Sequence, residues 1–492
     1  MTRIGQVSGL AAVQLRLMVL LTVVILVVIC LHRRWPALAV SVGAAMVAGL
    51  AGGVTASGSV VALGGTDWPI YGDGGDIGNL MRWASGIVEG IDLPPEYPPG
   101  FPHLLAMASD VLFGGDIPRA TKWVMIGFLA VSGPAAYLAW RLLLPPLWAL
   151  GIGVTSALPL VDLYKPYSPL VLVVVIPVFA KLVQATQRSA AQSRRRTLVT
   201  SAVLGAVLAA MFLLYSGWFV WSAVGLIILF AFILVGLVKS NGLQALREGI
   251  WALATACTAF LVLAGPYLVR LLKSSRSAKD TYFYFDTLTD PAYFAMWGGD
   301  RPGPQRAIWP PLGELGGVGM FSIILVIGMA VALALALRQP AVLTLAACTA
   351  SAFLLRYWYA SHMQQDHAVQ LYPRTSQQIT YCLLALTGLA VYYSVDRIRN
   401  QAHNLQIRQV ARVSRPGRGH VVSVLCALTL LFGMAGSATA NAFMATGPDD
   451  GSPGELTWRS HTLQQPDGQC PKYAPEGKCM PYTPPTPASP NH

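Results

Sequence analysis

Apolar residues in this chain come in long unbroken blocks, and the polar residues are gathered into the gaps between them. Crossing a bilayer takes roughly 20 apolar residues in a helix. Twelve such blocks are present, near 15–32, 36–56, 122–141, 142–160, 168–186, 198–216, 218–238, 249–271, 317–337, 340–357, 376–395 and 420–443. The pattern predicts an all-α polytopic bundle of about twelve spans (1–443), followed by a short, largely irregular tail (444–492) with no sizeable soluble domain. The first block is followed by His32-Arg33-Arg34, not by a small-residue cleavage site, so it reads as a membrane helix and not as a signal peptide.

Composition agrees. The 492 residues are 54% hydrophobic and only 11% charged, whereas about a quarter charged is usual in soluble domains. The net charge of +12 would suit nucleic acid, but its distribution does not. The bases sit in short alternate loops: Arg33 and Arg34; Arg141; Arg188 and Arg194–Arg196; Lys239 and Arg247; Arg338; and the run 396–419. That is the bias that orients membrane proteins with these loops in the cytoplasm. The acidic loop 57–121, the loops 272–316 and 358–375, the tail and the N-terminus then fall on the outer side of a plasma membrane. Five cysteines lie in apolar blocks. Cys470 and Cys479 lie in the tail instead, where a short-range disulfide is expected in an oxidising compartment.

The gap 66–101, TDWPIYGDGGDIGNLMRWASGIVEGIDLPPEYPPGF, holds six carboxylates (Asp67, Asp73, Asp76, Glu89, Asp92, Glu96) and one base, Arg82. Carboxylates at a membrane face suit proton abstraction, cation binding or hydrogen bonding to sugar hydroxyls. A solvated acidic loop is the plain alternative. Four glycines around Asp73 and Asp76 allow tight turns and close approach to a ligand. A short amphipathic helix on the membrane is expected over 79–90, with Leu80, Trp83, Ile87 and Val88 on one side. Prolines make 93–101 extended or turned.

Two more outer patches carry polar chemistry. In 272–316, Lys273, Arg276 and Lys279 precede a dense aromatic group, which suits sugar stacking or an interfacial belt; outer bases there call for an anionic partner such as lipid phosphate. In 356–375, Arg356, His362 and Arg374 could bind phosphate or pair with outer acids, and His362, Asp366 and His367 have a spacing that a metal could use if helical. The chain has no Walker A sequence, no GxSxG elbow and no CxxC pair. An activated donor would therefore come from the membrane, as polyprenyl-phosphate sugars do.

GDIGNLMR (75–82), LPPEYPPGF (93–101) and YASHMQQDHAVQLYPRT (359–375), in that order, resemble the actinobacterial arabinofuranosyltransferase AftA family of GT-C glycosyltransferases. The resemblance implies inverting transfer of arabinofuranose from decaprenyl-phosphoryl arabinose to a cell-wall galactan at the outer membrane face. By motif, Asp76 is the general base with Asp73 as alternate, and Arg82 and Arg374 bind phosphate or order the loop. Lys273, Arg276 and His362 join the donor-phosphate candidates; Glu96, Tyr97 and Trp83 are the acceptor candidates. No cofactor is required, with a divalent cation among the acids as an alternative. Members of that family run on into a long extracytoplasmic C-terminal domain where this chain has its short tail, so the donor carries over more directly than the acceptor. The competing classes are a polyprenyl-lipid transporter or flippase, against which the scarcity of ionisable residues inside spans argues, and a non-catalytic scaffold for cell-wall assembly.

Overall fold

The computed structural model describes residues 2–274, 320–366, 375–404, 418–448 and 452–482. Among these residues the fold is helical, with no strand beyond an isolated bridge between Leu463 and Met480. Ten helical segments are long and apolar enough to cross a membrane, as a multi-pass membrane protein requires. Each of the twelve expected spans has its helix, although two are short: Pro146–Ala157, continued by a 3-10 turn Leu158–Leu160, and Met320–Ala336.

The chain divides into two compact units. The first comprises Met1–Val174, Leu213–Tyr215 and Pro416–His492. It contains α1 (Arg3–His32), α2 (Pro36–Ala62), α3 (Gly75–Val88), α4 (Gly100–Phe113), α5 (Ile117–Arg141), α6 (Pro146–Ala157), the start of α7 (Tyr167–Gln187), α13 (Arg418–Ala442) and α14 (Pro453–Ser460). The second comprises Val175–Phe212 and Ser216–Arg415. It holds the rest of α7, α8 (Arg194–Leu214), α9 (Gly217–Ser274, broken at Gly242), α10 (Met320–Ala336), α11 (Pro340–Asp366) and α12 (Thr375–Asn404). There α9 and α12 pack on α11, and an aromatic cluster of Phe212, Phe219, Phe260 and Tyr267 joins α8 to α9.

Helices in lipid gain no hydrophobic drive from one another, so close packing of small residues must hold them. In the first unit α2 meets α5 this way. A Cβ at Gly52 would run into the Ala130 carbonyl, and one at Gly133 into that of Ala48. Gly52→Val is therefore expected to cost about 1–3 kcal/mol through overpacking, read as a lower unfolding temperature of the purified protein.

The first unit has a defined polarity. Arg3 Nη2 donates to Asn441 Oδ1 (2.9 Å) and Gln6 Nε2 to the Ala445 carbonyl (3.3 Å), so the start of α1 lies beside the end of α13. Lys122, near the start of α5, donates to the Leu63 and Thr66 carbonyls just past α2 (2.9 and 2.6 Å). The N-terminus, the acidic loop and the tail thus share one end. At the opposite end Tyr137 of α5 donates to the Ser41 carbonyl (3.3 Å), and the stretches 29–45 and 138–150, with Arg33, Arg34 and Arg141, contain no Asp or Glu.

Three expectations need correction. The gap 57–121 is not an open loop, because α2 runs on to Ala62 and α3 and α4 fill much of it. The helix expected over 79–90 begins at Gly75 and ends at Val88; its Leu80 is fully buried and Trp83 and Ile87 pack on the protein core, leaving only Val88 exposed. The tail is also more ordered than expected. Residues 452–482 form α14, a disulfide Cys470–Cys479 and a cover over the acidic loop. The disulfide agrees with the tail spacing.

Candidate functional site

The site is built on the approach to α3. Asp67 to Gly72 run under the tail. Tyr71 N–H donates to the Leu456 carbonyl (2.9 Å), Trp68 Nε1 to the Gln464 carbonyl (3.1 Å), and Thr66 Oγ1 to the Ser460 carbonyl (2.9 Å). Ser460 Oγ donates to the Pro69 carbonyl (2.6 Å). Tyr71 is held at φ +71°, a left-handed conformation that is costly for a bulky residue and recurs at functional sites. Its ring lies under the Arg459 guanidinium (5.2 Å) and 6.1 Å from the Tyr164 ring. Gly75, at φ +56°, is required here: a Cβ would collide with the Tyr164 hydroxyl and sit against the Tyr71 ring.

Asp76 stands in the first turn of α3, where a negative charge is favoured by the helix dipole. Its N–H donates to the Tyr164 hydroxyl (2.6 Å), and its Oδ2 is ion-paired with Lys165 Nζ. The two side chains differ in exposure, 47% for Asp76 and 19% for Lys165, so the Asp76 side chain is open to a ligand while that of Lys165 is mostly enclosed. Lys165 and Tyr164 belong to the short connection between α6 and α7. An Asx turn sets it: Asp162 Oδ1 accepts the Tyr164 N–H (2.8 Å). Burial pushes the Asp162 carboxyl above its usual range, while the Tyr164 and Lys165 backbone N–H groups and the Lys165 charge work the other way. Burial likewise pushes Tyr164 up to about 12, so its hydroxyl stays protonated.

Farther along α3, Trp83 lies two turns from Asp76 and so on nearly the same face. Its ring packs against Tyr97 (4.2 Å), whose hydroxyl bonds that of Tyr167 (2.9 Å). Tyr167 stacks on Phe101 at 4.0 Å. Asp76, Trp83 and Tyr97 are thereby tied to one frame, with Glu96 exposed beside it. Asp73 is exposed one turn before Asp76 and close enough to Tyr482 to raise its hydroxyl pKa, an effect second to burial.

The other candidates are not gathered here. Arg82 is exposed, lies about 120° around α3 from Asp76, and donates to Asn79 Oδ1 (3.3 Å). Lys165, which the sequence reading passed over, is the cation at Asp76. Lys273 is exposed near the end of α9, and His362 stacks on Trp358 (4.3 Å) with its Nδ1 2.8 Å from the Trp358 carbonyl; both belong to the second unit. Also there, Arg356 is buried and donates to Thr375 Oγ1 (3.2 Å) and Ser376 Oγ (2.9 Å), which are hydroxyls and not the outer acids expected as its alternative to phosphate. Arg276, Lys279, His367 and Arg374 lie outside the described residues, as does the Asp366 side chain. Among the described residues no three His, Cys, Asp or Glu side chains gather as a metal site. The cleft between α1, α2 and α13, lined by Leu17, Val47 and Phe432, is almost wholly apolar and offers no chemistry.

The tail adds a titratable contact. His461 Nε2 donates to the Ala62 carbonyl (2.8 Å), and its Nδ1 is buried without a partner. Burial lowers its pKa from 6.5, with the Lys122 charge adding to the effect. Because the folded pKa is the lower one, this contribution to stability is full above pH 6.5. It is lost progressively as pH falls toward the folded value. Protection factors for amide exchange in 456–465, corrected for the intrinsic pH dependence, should therefore fall as pH drops from 7.5 to 5, and His461→Gln should remove that fall.

No family model matches the chain, and no curated protein matches it in sequence.

Proposed function

We propose that the chain is a membrane glycosyltransferase that takes its sugar from a polyprenyl-phosphate donor at the outer face of the plasma membrane. In the specific form suggested by the motif order, it is an arabinofuranosyltransferase that moves arabinofuranose from decaprenyl-phosphoryl arabinose to a galactan-type acceptor. The observation that carries the reading is the half-exposed Asp76 carboxylate, anchored by Lys165 and Tyr164 at the acidic end of the first unit. The separation of Arg33, Arg34 and Arg141 from that end supports its outward orientation.

The chemistry needs two functions. A carboxylate must take the proton of the acceptor hydroxyl as its oxygen attacks the anomeric carbon. A cation must stabilise the phosphate as the C1–O bond breaks toward it, and attack opposite the leaving group inverts the centre. Asp76 is suited to the first. Trp83 and Tyr97 supply an aromatic surface on the same frame for a sugar ring, and Glu96 a nearby acceptor for hydroxyls.

The test is transfer of radiolabelled arabinose from decaprenyl-phosphoryl arabinose by the purified full chain, with galactan oligosaccharides as acceptors. Labelled product that disappears in Asp76→Asn is expected. A folded wild-type protein that neither binds the donor nor transfers from it would move the transporter and scaffold classes to the front.

A further inference from the structure

Lys165 is the one group at the site whose place raises a question of charge. Its side chain is four-fifths enclosed, and its ammonium is paired with the Asp76 carboxylate and lies 5.9 Å from the Tyr164 ring centre. Its backbone N–H donates to the Asp162 carboxylate. A cation on a largely enclosed side chain is favoured by an anion beside it, so Lys165 is best served by one at each stage of a reaction. Yet a carboxylate that acts as a base gives up its charge when it takes the proton.

We propose that Lys165 is the phosphate-binding cation of the site, and that its pair with Asp76 is a latch that the donor phosphate opens. This rests on the reading of Asp76 as the base of a prenyl-phosphate glycosyl transfer. The bound donor is a phosphodiester carrying one negative charge, and Asp76 carries another. As the acceptor oxygen bonds to C1, its proton passes to Asp76, which becomes neutral. The C1–O bonding pair leaves with the prenyl phosphate, which becomes a dianion. The negative charge facing Lys165 is the same before and after, but it has moved from carboxylate to phosphate. A compact ammonium on a flexible stem can follow that movement, and its attraction to the phosphate grows as the transition state is approached, which is where stabilisation raises turnover. In the unliganded site the same ammonium occupies Asp76, so the base is fully released only when a phosphate has replaced it. Arg82, on another face of α3, stands apart from this exchange.

Farnesyl phosphate is the probe, a soluble prenyl monophosphate that stands for the leaving group. Its binding to the full-length protein in nanodiscs is followed by calorimetry. If the latch exists, Asp76→Asn removes Lys165's competing anion and tightens farnesyl phosphate by up to about fivefold. Lys165→Gln weakens it by about 10- to 100-fold, and Lys165→Arg falls between. The double variant shows no tightening over Lys165→Gln. A Lys165 that merely props up Asp76 gives a different result: Lys165→Gln binds farnesyl phosphate like wild type and Asp76→Asn binds no tighter. Either finding, or no binding by wild type, overturns the proposal. Inorganic phosphate or phosphatidylglycerol competing as well as farnesyl phosphate overturns the donor assignment, since the site would then read any phosphate or a lipid headgroup. Should Lys165→Gln not fold, Lys165→Arg and Asp76→Asn still decide. Failure of the parent reading looks different again: the binding pattern above would persist while no sugar is transferred. Transfer that Asp76→Asn abolishes, with farnesyl phosphate affinity indifferent to Lys165, would reject the latch alone.

Discussion

Asp76→Asn is expected to reduce sugar transfer by about 10²–10⁴-fold, the range that a positioned general base contributes. The amide keeps the shape of the side chain and leaves the backbone N–H on the Tyr164 hydroxyl, so α3 should start where it does now. What it lacks is a charged oxygen to take the proton. Because the lost interaction belongs to the transition state while donor binding is not weakened, kcat should fall at least as far as kcat/KM. The Lys165 pair is also lost, but Asp76 is half-exposed, so the stability change should stay near 1 kcal/mol or less. Asp73→Asn, one turn earlier and exposed, should cost less than about tenfold, since a solvated carboxylate without a fixed partner is a poor positioned base. Comparable losses in both variants would place the base at Asp73 or share it between the two.

The second large effect is expected from the tail. Removing residues 447–492 should abolish transfer and leave 64–73 open to proteolysis, while the membrane helices remain folded. The tail supplies the partners of Thr66, Trp68, Tyr71 and Gly72, and Lys472 N–H reaches the Gly65 carbonyl (2.9 Å). At about 1 kcal/mol for each hydrogen bond, several are lost at once, and the fully buried Trp68 loses its cover. Tyr71 would then keep only its contacts with Gly74 and Tyr164 to hold its left-handed conformation, and the α3 start would lose the firm placement of the ring that Gly74 and Gly75 pack against. The double change Cys470→Ser, Cys479→Ser should be milder. Closing so short a loop contributes about 2–3 kcal/mol, enough to loosen 462–480 without detaching α14. Limited proteolysis followed by mass spectrometry separates the two outcomes.

The helical bundle was legible because the solvent dictates it: in hydrocarbon a backbone must satisfy its own hydrogen bonds, and long apolar blocks have few alternatives to helices. Boundaries were less so. Gly75 opens α3 four residues before the expected start because the Tyr164 hydroxyl receives the Asp76 N–H, a contact across 88 residues that no local pattern carries. The same distance hid Lys165. It lies in the short connection DLYKP between two apolar blocks, and a lone base there looks like a loop residue until Asp76 is brought against it. The tail misled for a related reason. Its proline-rich composition has no helical or strand period, and its order comes from hydrogen bonds to a loop made long before it. By contrast, Cys470 and Cys479 were readable, since a local pair in a polar tail needs no knowledge of distant packing.

The bond between Thr66 and Ser460 joins residues 394 positions apart. At about 5–20 residues per second, synthesis leaves the first of them without the second for about 20–80 s. During that interval the acidic loop is already out of the ribosome, but Trp68 and Ile70 have no roof and Tyr71 has no Arg459 above it. A nascent chain can therefore have its early helices in the membrane while the approach to α3 is still uncovered. That segment gains its roof only with the last-made described segment, so the tail sets when the acidic end of the first unit is finished.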